Sequence, residues 1–226
     1  MANQPITQAT GPAYVDNAVF QPGTGGVFRA NVGTEAPSLE DISKWITGDR
    51  TKAIGDWEPI GYTSLETLPG IGTETEGGEK KGVWENPDFR VTPITSTDTV
   101  KVQPVQWSPI PLSHRFGANV TIDPATGQVD VPATFTSVET AIMVVFMDGD
   151  TPLVLVYYRT SASPDGDIEP DPENYLAIPV KYTVLSVTGS GRKMSILAYH
   201  LRDKDNNGQP DTPSTGGTAS NSPRTA

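Results

Sequence analysis

The chain has 226 residues, a formal net charge of −11 and no cysteine. This length is enough to bury one core, and the lack of cysteine excludes disulfides, thiolate metal sites and cysteine nucleophiles. The acidic balance argues against tight binding to nucleic acid, because such binding depends on Lys and Arg placed against phosphates. The N-terminus has no basic start followed by an apolar run, which predicts synthesis without Sec export.

The first part of the chain predicts an arm, a hairpin and a helix. Residues 1–13 are polar and contain two prolines, which is typical of an extended N-terminal arm. Residues 19–20 and 27–28 flank a Gly-rich turn and predict a first hairpin. Ser38 starts a capping pattern before apolar residues at helical spacing, which predicts a short helix over 39–47.

The middle of the chain alternates strand-like and loop-like segments. Aromatic and branched residues over 57–64 lead into residues 68–82, whose Gly and charged residues predict a long, mobile loop. Val alternates with polar residues over 99–107, as in a half-buried strand, and residues 110–116 predict a second short helix. Two short apolar pieces then flank a compact turn over 123–127, which predicts a small hairpin.

The strongest strand signal lies in the second half. Apolar runs at 141–147 and 153–158 are joined by an Asp-Gly turn and predict two central strands. Residues 180–187 and 194–201 predict another antiparallel pair. These elements indicate a mainly β fold, an antiparallel β-sandwich or barrel with one or two short flanking helices, in a single domain over 14–201. Residues 202–226 contain no large apolar side chain and predict a polar C-terminal tail.

The sequence carries no recognisable catalytic pattern. His114 and His200 lie in no spacing that is typical of a catalytic site, and no phosphate-binding loop occurs. We therefore expect that the protein is not an enzyme and holds no organic cofactor. A glycosidase would need two carboxylates at a fixed separation, which sequence cannot show.

One segment has the spacing of a calcium loop. Asp203, Asp205, Asn207 and Asp211 place oxygen ligands at loop positions 1, 3, 5 and 9, with Gly208 at position 6. Position 12 is Ser214, where calcium loops have a bidentate Glu. The alternatives are therefore a calcium site and a polar turn that opens the tail.

Three motifs carry a resemblance to a known family. They are GVFRANVGTEAP at 26–37, WEPIGYTSLE at 57–66 and GVWENPDFR at 82–90. In this order they resemble the major tail tube protein of long-tailed, non-contractile bacteriophages that infect actinobacteria. The resemblance covers about residues 14–200 and is most specific over 26–90.

The resemblance implies a function and a set of partners. Family members fold as a β-sandwich with a flanking helix and form hexameric rings, which stack into a hollow tube for genome passage. It implies that the partners are further copies of the chain, a tape-measure protein, and tail terminator and baseplate proteins, with DNA only in transit and no membrane. The protein would assemble in the host cytoplasm and reside in the virion tail.

The resemblance also assigns roles to residues. The predicted loop would contact the neighbouring ring through Thr73, Glu74, Glu76, Glu79, Lys80 and Lys81. The acidic loop at 164–173 departs from simpler family members. Its carboxylates alternate, which predicts an acidic lumen or rim that repels DNA, a cation site or a solvated loop; they are Asp165, Asp167, Glu169, Asp171 and Glu173.

A different class of protein is compatible with some of these features. The calcium-loop spacing and the aromatic residues are also typical of a secreted, calcium-dependent β-sandwich that binds carbohydrate or mediates surface adhesion. The lack of an export signal weighs against this alternative.

Overall fold

A computed structural model of the chain describes residues 18–189 and 191–201. Within them lie two α-helices, α1 (Leu39–Thr47) and α2 (Pro109–Phe116). The strands of the first half are β1 (Thr24–Ala30), β2 (Glu58–Pro59), β3 (Gly70–Glu76), β4 (Lys80–Val83), β5 (Asn86–Val91) and β6 (Thr95–Val102). Those of the second half are β7 (Thr121–Ile122), β8 (Val129–Asp130), β9 (Glu139–Asp148), β10 (Thr151–Pro164), β11 (Val180–Val184) and β12 (Met194–Ala198), and a 3₁₀ turn follows at Tyr199–Leu201.

Eight strands form one antiparallel sheet. Its order is β2-β1-β9-β10-β11-β6-β3, and β12 also pairs with β10. The hairpins β4–β5 and β7–β8 are separate two-stranded ribbons. The fold class predicted from sequence, a mainly β, antiparallel structure with few helices, is confirmed.

Strand β9 lies at the centre and is buried on both faces. Ala141, Met143 and Val145 enter one core, whereas Ile142 and Val144 enter another. Burial of both faces explains why β9 is a continuous apolar run without polar alternation. Asp148-Gly149-Asp150 closes the predicted hairpin with β10, and Gly149 has a φ of 58°, which a residue with a side chain seldom adopts.

Helix α1 covers the first core. Ser38 Oγ accepts a hydrogen bond from the Asp41 N–H at 3.1 Å, and the Gly48 N–H donates to the Trp45 carbonyl, so both predicted ends are confirmed. Ile42, Trp45 and Ile46 lie on the buried face of the helix. Trp45 packs edge-on against Phe28 of β1, with ring centroids 5.3 Å apart.

The second core shows that the sheet curls. Val100 and Val102 of β6 and Tyr182 of β11 share this core with Ile142 and Val144 of β9. Because all these strands belong to one sheet, the β11–β6 half must fold over the β1–β9 half. Partly buried Ile110 of α2 packs against this core, so the helix predicted over 110–116 is confirmed there.

The predicted first hairpin is wrong. Residues 19–20 form no strand, and the Gln21 N–H instead donates to the Asp148 carboxylate at 3.0 Å. The Gly23 N–H donates to the Met147 carbonyl, so the backbone just before β1 already lies beside β9. Strand β1 therefore pairs with β9 and β2, both distant in sequence.

The predicted pairing of the last two strands is also wrong. Strand β10 has 14 residues, and β9 occupies one of its edges. Its other edge is shared: Leu153–Tyr157 pairs with β12, and Thr160–Pro164 pairs with β11. A long strand can hold two shorter ones in succession, so β11 and β12 lie beside β10 and not beside each other.

The segment at 68–82 is mostly strand where the sequence predicted a loop. Residues 70–76 form β3, which pairs with β6 over its whole length, and residues 80–83 form β4. Gly and charged residues are depleted in strands, but an exposed ribbon has no core face that would require apolar side chains. The N-terminal arm (1–13), the tail (202–226) and the calcium-loop residues lie outside the described residues.

Trp57 supports a prediction about stability. Its side chain is 1% exposed in the first core, and its indole N–H donates to the Glu35 carbonyl at 3.0 Å. Trp57→Ala should lower the free energy of unfolding by about 3–5 kcal/mol. Urea denaturation followed by circular dichroism measures this loss. Trp84→Ala is the matched control, since that ring is 98% exposed and its removal should change stability by less than about 0.5 kcal/mol.

Candidate assembly surfaces

The β4–β5 hairpin projects from the body of the fold. It continues the β3–β6 ribbon beyond the Glu76–Thr95 pair, and every residue of both strands is exposed. The Gly78 N–H donates to the Thr92 carbonyl and the Thr92 N–H to the Glu79 carbonyl, which joins the two ribbons. The hairpin belongs to neither buried core.

Two glycines allow the chain to form this hairpin. Gly77 has a φ of 92°, and a Cβ there would lie 2.1 Å from the Pro93 carbonyl oxygen. Gly82 lies where the β4–β5 register shifts, and its Cβ would lie 2.5 Å from the Pro87 carbonyl oxygen. Both contacts are shorter than any side chain tolerates, so glycine is required at the kink and at the bulge.

Large apolar side chains on this hairpin face solvent. Trp84, in the turn between the strands, is 98% exposed, and Phe89 is 58% exposed. Val83 and Val91 on the strands, and Ile94 just after them, are exposed as well. Clusters of this kind mark interaction sites, because isolated soluble domains seldom expose contiguous apolar surface. Trp84 and Phe89 lie in the GVWENPDFR motif, but the motif by itself did not indicate that their side chains are exposed.

The residues predicted to contact a neighbouring ring lie on one continuous ribbon. Thr73, Glu74 and Glu76 are on β3, and Thr73 Oγ1 donates to the Asp98 carboxylate at 2.8 Å. Glu79 precedes the hairpin, whereas Lys80 and Lys81 begin its first strand. Their role in assembly stays a prediction.

The hairpin also carries an unfavourable charge pair. Lys80 forms an ion pair with Asp88 at 3.1 Å, whereas Lys81 lies directly opposite Arg90. Like charges opposite each other on two strands destabilise a ribbon. Among the described residues, neither Lys81 nor Arg90 forms an ion pair with a carboxylate, so an acidic partner surface would relieve this repulsion.

Strand edges offer further surface. Strand β3 ends the main sheet, so its edge away from β6 has no strand partner in the described chain. At the other end, β2 pairs with Phe28 and Arg29 of β1, and the Ile60 N–H donates to the Val27 carbonyl, so residues 24–26 are left uncovered by β2. Open edges present unpaired N–H and C=O groups that can pair with another chain.

The acidic loop is held at both of its ends. Arg115 of α2 is buried and donates hydrogen bonds of 2.8 Å to the carbonyls of Gly166 and Pro179. Asp165 forms an ion pair with Lys101 at 3.1 Å, and Trp107 Nε1 donates to the Leu176 carbonyl at 3.1 Å. The loop contains no strand beyond Pro164, the last residue of β10, and these contacts set its path.

Four of the five predicted carboxylates lie together. Asp167, Glu169, Asp171 and Glu173 line one groove of about 480 Å³, which Glu66 also lines, whereas Asp165 is not among the lining residues. Asp171 also closes a turn, since its carboxylate accepts hydrogen bonds from the Glu173 N–H and the Asn174 side chain. Among the described residues, no group of three or more His, Asp or Glu side chains is arranged to hold a metal ion.

Helix α2 contributes a buried histidine beside Arg115. His114 Nδ1 lies 2.9 Å from the Tyr182 hydroxyl, with the two rings edge to face. Burial, with a smaller contribution from the Arg29 charge, lowers the pKa of His114 to about 4. Burial raises the pKa of the Tyr182 hydroxyl, which therefore keeps its proton at neutral pH.

A membrane-spanning helix is not found in the described part of the chain, where neither helix is long and apolar enough to cross a bilayer. The described surfaces are thus an apolar hairpin, open strand edges and an acidic groove on a mainly β core. Surfaces of these kinds are typical of proteins that associate with other chains through extended β surfaces.

Comparison with known proteins identifies the family. A family model described as phage tail tube protein matches residues 12–207, and the chain belongs to that family. Its relatives include the major tail protein Gp23 of Mycobacterium phage D29, which is 32% identical over 179 residues, covering 75% of this chain and 86% of the relative. Gp23 of Mycobacterium phage L5 is 32% identical over 176 residues, with the same coverage. The family and host group indicated by the sequence motifs are confirmed, and the chain is a structural protein of the phage tail tube.

His114 supports a prediction about pH. Because its folded pKa of about 4 lies below the usual 6.5, the unfolded chain binds the proton more readily, and stability falls as pH drops below 6.5. Between pH 7.5 and 5.0 the wild type should lose about 2 kcal/mol more unfolding free energy than His114→Gln. Urea titrations at both values, above the pI of about 4.5, measure the difference. Equal losses in the two proteins would contradict a buried neutral histidine.

Proposed function

We propose that copies of this chain form hexameric rings that stack into a hollow tail tube, through which the phage genome passes into the host cell. Membership of the tail tube family supports this assembly. The observation that carries the proposal is the β4–β5 hairpin, whose strands are wholly exposed while it displays Trp84 and Phe89.

The hairpin has a physical reason to bind another subunit. An isolated two-stranded hairpin is at best marginally stable in water, and this one has no core of its own. Contact with a neighbour would bury its apolar side chains at about 25 cal/mol per Å² and would hold its strands in place. In a stack of rings the same contact recurs in every subunit. We therefore assign the hairpin to the contact between rings, together with Glu79, Lys80 and Lys81.

Lateral contacts within a ring have a separate source. The open edge of β3 carries Thr73, Glu74 and Glu76, which the family resemblance assigned to the contact between rings. We propose instead that they lie in the contact within a ring, because β3 is at one end of the main sheet and the short β2 is at the other end. A contact between two different surfaces of one chain is heterologous, and it closes into a ring when the rotation between copies permits. Pairing of these ends in adjacent copies would satisfy the unpaired backbone groups of both.

The acidic groove suits the wall or the rim of a DNA channel. Asp167, Glu169, Asp171 and Glu173 would repel phosphates and so leave the genome no cationic site at which to stall. The net charge of −11 acts in the same direction. In this function the protein is structural and not an enzyme. It assembles in the host cytoplasm around a tape-measure protein, between terminator and baseplate proteins, and it resides in the virion tail.

The alternative of a secreted, calcium-dependent binding module has less support. Its calcium residues, Asp203, Asp205, Asn207 and Asp211, lie outside the described part of the chain. The match to the tail tube family extends over residues 12–207, where a secreted adhesion module would have to lie. We therefore propose no calcium-dependent function.

Removal of the hairpin tests the stacking contact. Replacing residues 80–91 by Asn-Gly joins Glu79 to Thr92, which already share a backbone hydrogen bond of 2.9 Å. The variant should keep its melting temperature, because the removed residues lie outside both cores, but it should form no tubes. Negative-stain microscopy measures tube formation. Tubes of normal length from this variant would refute a role of the hairpin in stacking.

Charge reversal tests the acidic groove. Phage with Asp167→Lys and Glu169→Lys should assemble tails but release the genome more slowly into host cells, because lysines in the channel attract phosphates. Fluorescence from a labelled genome follows the release. The matched control is Asp56→Lys with Asp150→Lys, which makes the same charge change at two exposed carboxylates elsewhere. Equal release from both variants would place the groove away from the DNA path.

A further inference from the structure

A second surface complements the hairpin. A groove of about 730 Å³ runs beside the part of β1 that β2 leaves uncovered, at Gly25 and Gly26. Apolar and aromatic side chains form much of its accessible wall, including Pro59, Tyr62 and Ile110, whereas Ile60 is only 1% exposed. Its volume lies within the range of about 300–1,000 Å³ that is usual for sites that enclose a bulky apolar group.

The groove has one charged lining residue. Arg50 lies beside the apolar wall, and its Nε donates to the Ile46 carbonyl at 3.1 Å. Among the described residues, Arg50 forms no ion pair with a carboxylate. The groove is therefore suited to a group that places an apolar ring beside a single negative charge.

The tip of the β4–β5 hairpin has this chemistry. Trp84 is 98% exposed and is followed directly by Glu85. Glu85 forms no ion pair within the described chain. We infer that the Trp84-Glu85 tip of one copy docks into this groove of a second copy, with Trp84 against Tyr62 and Ile110 and Glu85 against Arg50. This inference rests on the proposed stacking of rings and names its receiving surface.

Charge makes two other grooves unsuitable for this tip, and a third, of about 190 Å³ and lined by Leu65, Leu68 and Phe146, has no cation for Glu85. The groove lined by Glu66, Asp167 and Glu169 would repel Glu85. A groove of about 400 Å³ near the end of α1 is lined by charges that are already paired, Lys44 with Asp41 at 3.0 Å and Lys52 with Asp49 at 3.7 Å. The groove beside β1, in contrast, combines an apolar wall with a cation that forms no ion pair among the described residues.

The contact would build a polymer without limit. The hairpin tip and the groove are different surfaces of one chain, so each docked copy still presents a free tip or a free groove. Such a heterologous contact propagates along an axis. An aromatic anchor of this type buries about 150–250 Å² and is often the main source of binding energy in an interface.

A charge exchange tests the pairing. Glu85→Arg alone and Arg50→Glu alone should each raise the protein concentration needed for tubes about tenfold or more, because each places like charges together. The double variant E85R/R50E should return this concentration to within about threefold of the wild type. Pelleting across a concentration series, with microscopy of the pellets, measures both effects.

The matched control separates pairing from net charge. Lys52 lies two residues from Arg50 but does not line this groove. The combination E85R/K52E has the same net charge as E85R/R50E and should assemble no better than E85R alone. Recovery in this control, or no recovery in E85R/R50E, overturns the inference.

Crosslinking provides a test that does not depend on tube length. The natural chain has no cysteine, so Glu85→Cys in one population and Thr51→Cys in another make a disulfide that can form only between copies. Thr51 lines the groove beside Arg50. Mixed subunits should crosslink between the two types under oxidation, and a mixture with Lys52→Cys in place of Thr51→Cys should do so far less.

The outcomes also separate this inference from the proposed function. If the wild type forms tubes and E85R assembles normally while R50E does not, another segment occupies the groove, for example residues 1–17 of a neighbour. The inference then fails and the proposed function stands. If neither purified protein nor virions contain tubes of this chain, the proposed function fails as well.

Discussion

The described fold depends on strand β9 and its burial on two faces. One face, with Ala141 and Met143, packs toward α1, and the other, with Ile142 and Val144, packs toward β6 and β11. Hydrogen bonds to β1 and β10 occupy both of its edges. A strand enclosed in this way must be apolar throughout, and its position sets the places of the helices and of the curled half of the sheet.

The buried cores and the hairpin proposed for assembly are different parts of the chain. Trp57, Phe28 and Tyr182 are almost fully buried in the two cores, whereas Trp84 and Phe89 lie on a hairpin that contacts neither. This separation would let a residue of the proposed contact change with little cost to folding, since exposed side chains contribute little to unfolding free energy. It is suited to a subunit that must fold first and associate afterwards.

Family membership and surface chemistry support the same function. The match to phage tail tube proteins covers most of the chain, and the relatives from phages D29 and L5 are major tail proteins. The acidic groove and the exposed hairpin are two surfaces that fit the role of this family. One surface is suited to the repulsion of DNA and the other to the binding of a neighbour.

The sequence by itself determined the elements that depend on short-range interactions. Three features predicted from a few adjacent residues are confirmed. They are the helix cap at Ser38, the Asp-Gly turn after β9, and the two central strands predicted from the apolar runs at 141–147 and 153–158. The motifs at 26–37, 57–66 and 82–90 were also sufficient to identify the family.

Only the tertiary structure decided which strands pair and which side chains meet. Strands β11 and β12 look like a hairpin in sequence but share the edge of β10, and residues 70–76 form a strand because β6 offers an edge. Arg50 and Ile110 meet in one groove although 60 positions separate them. Backbone edges present the same N–H and C=O groups in every strand, so the choice of partner depends on long-range packing that local sequence patterns do not encode.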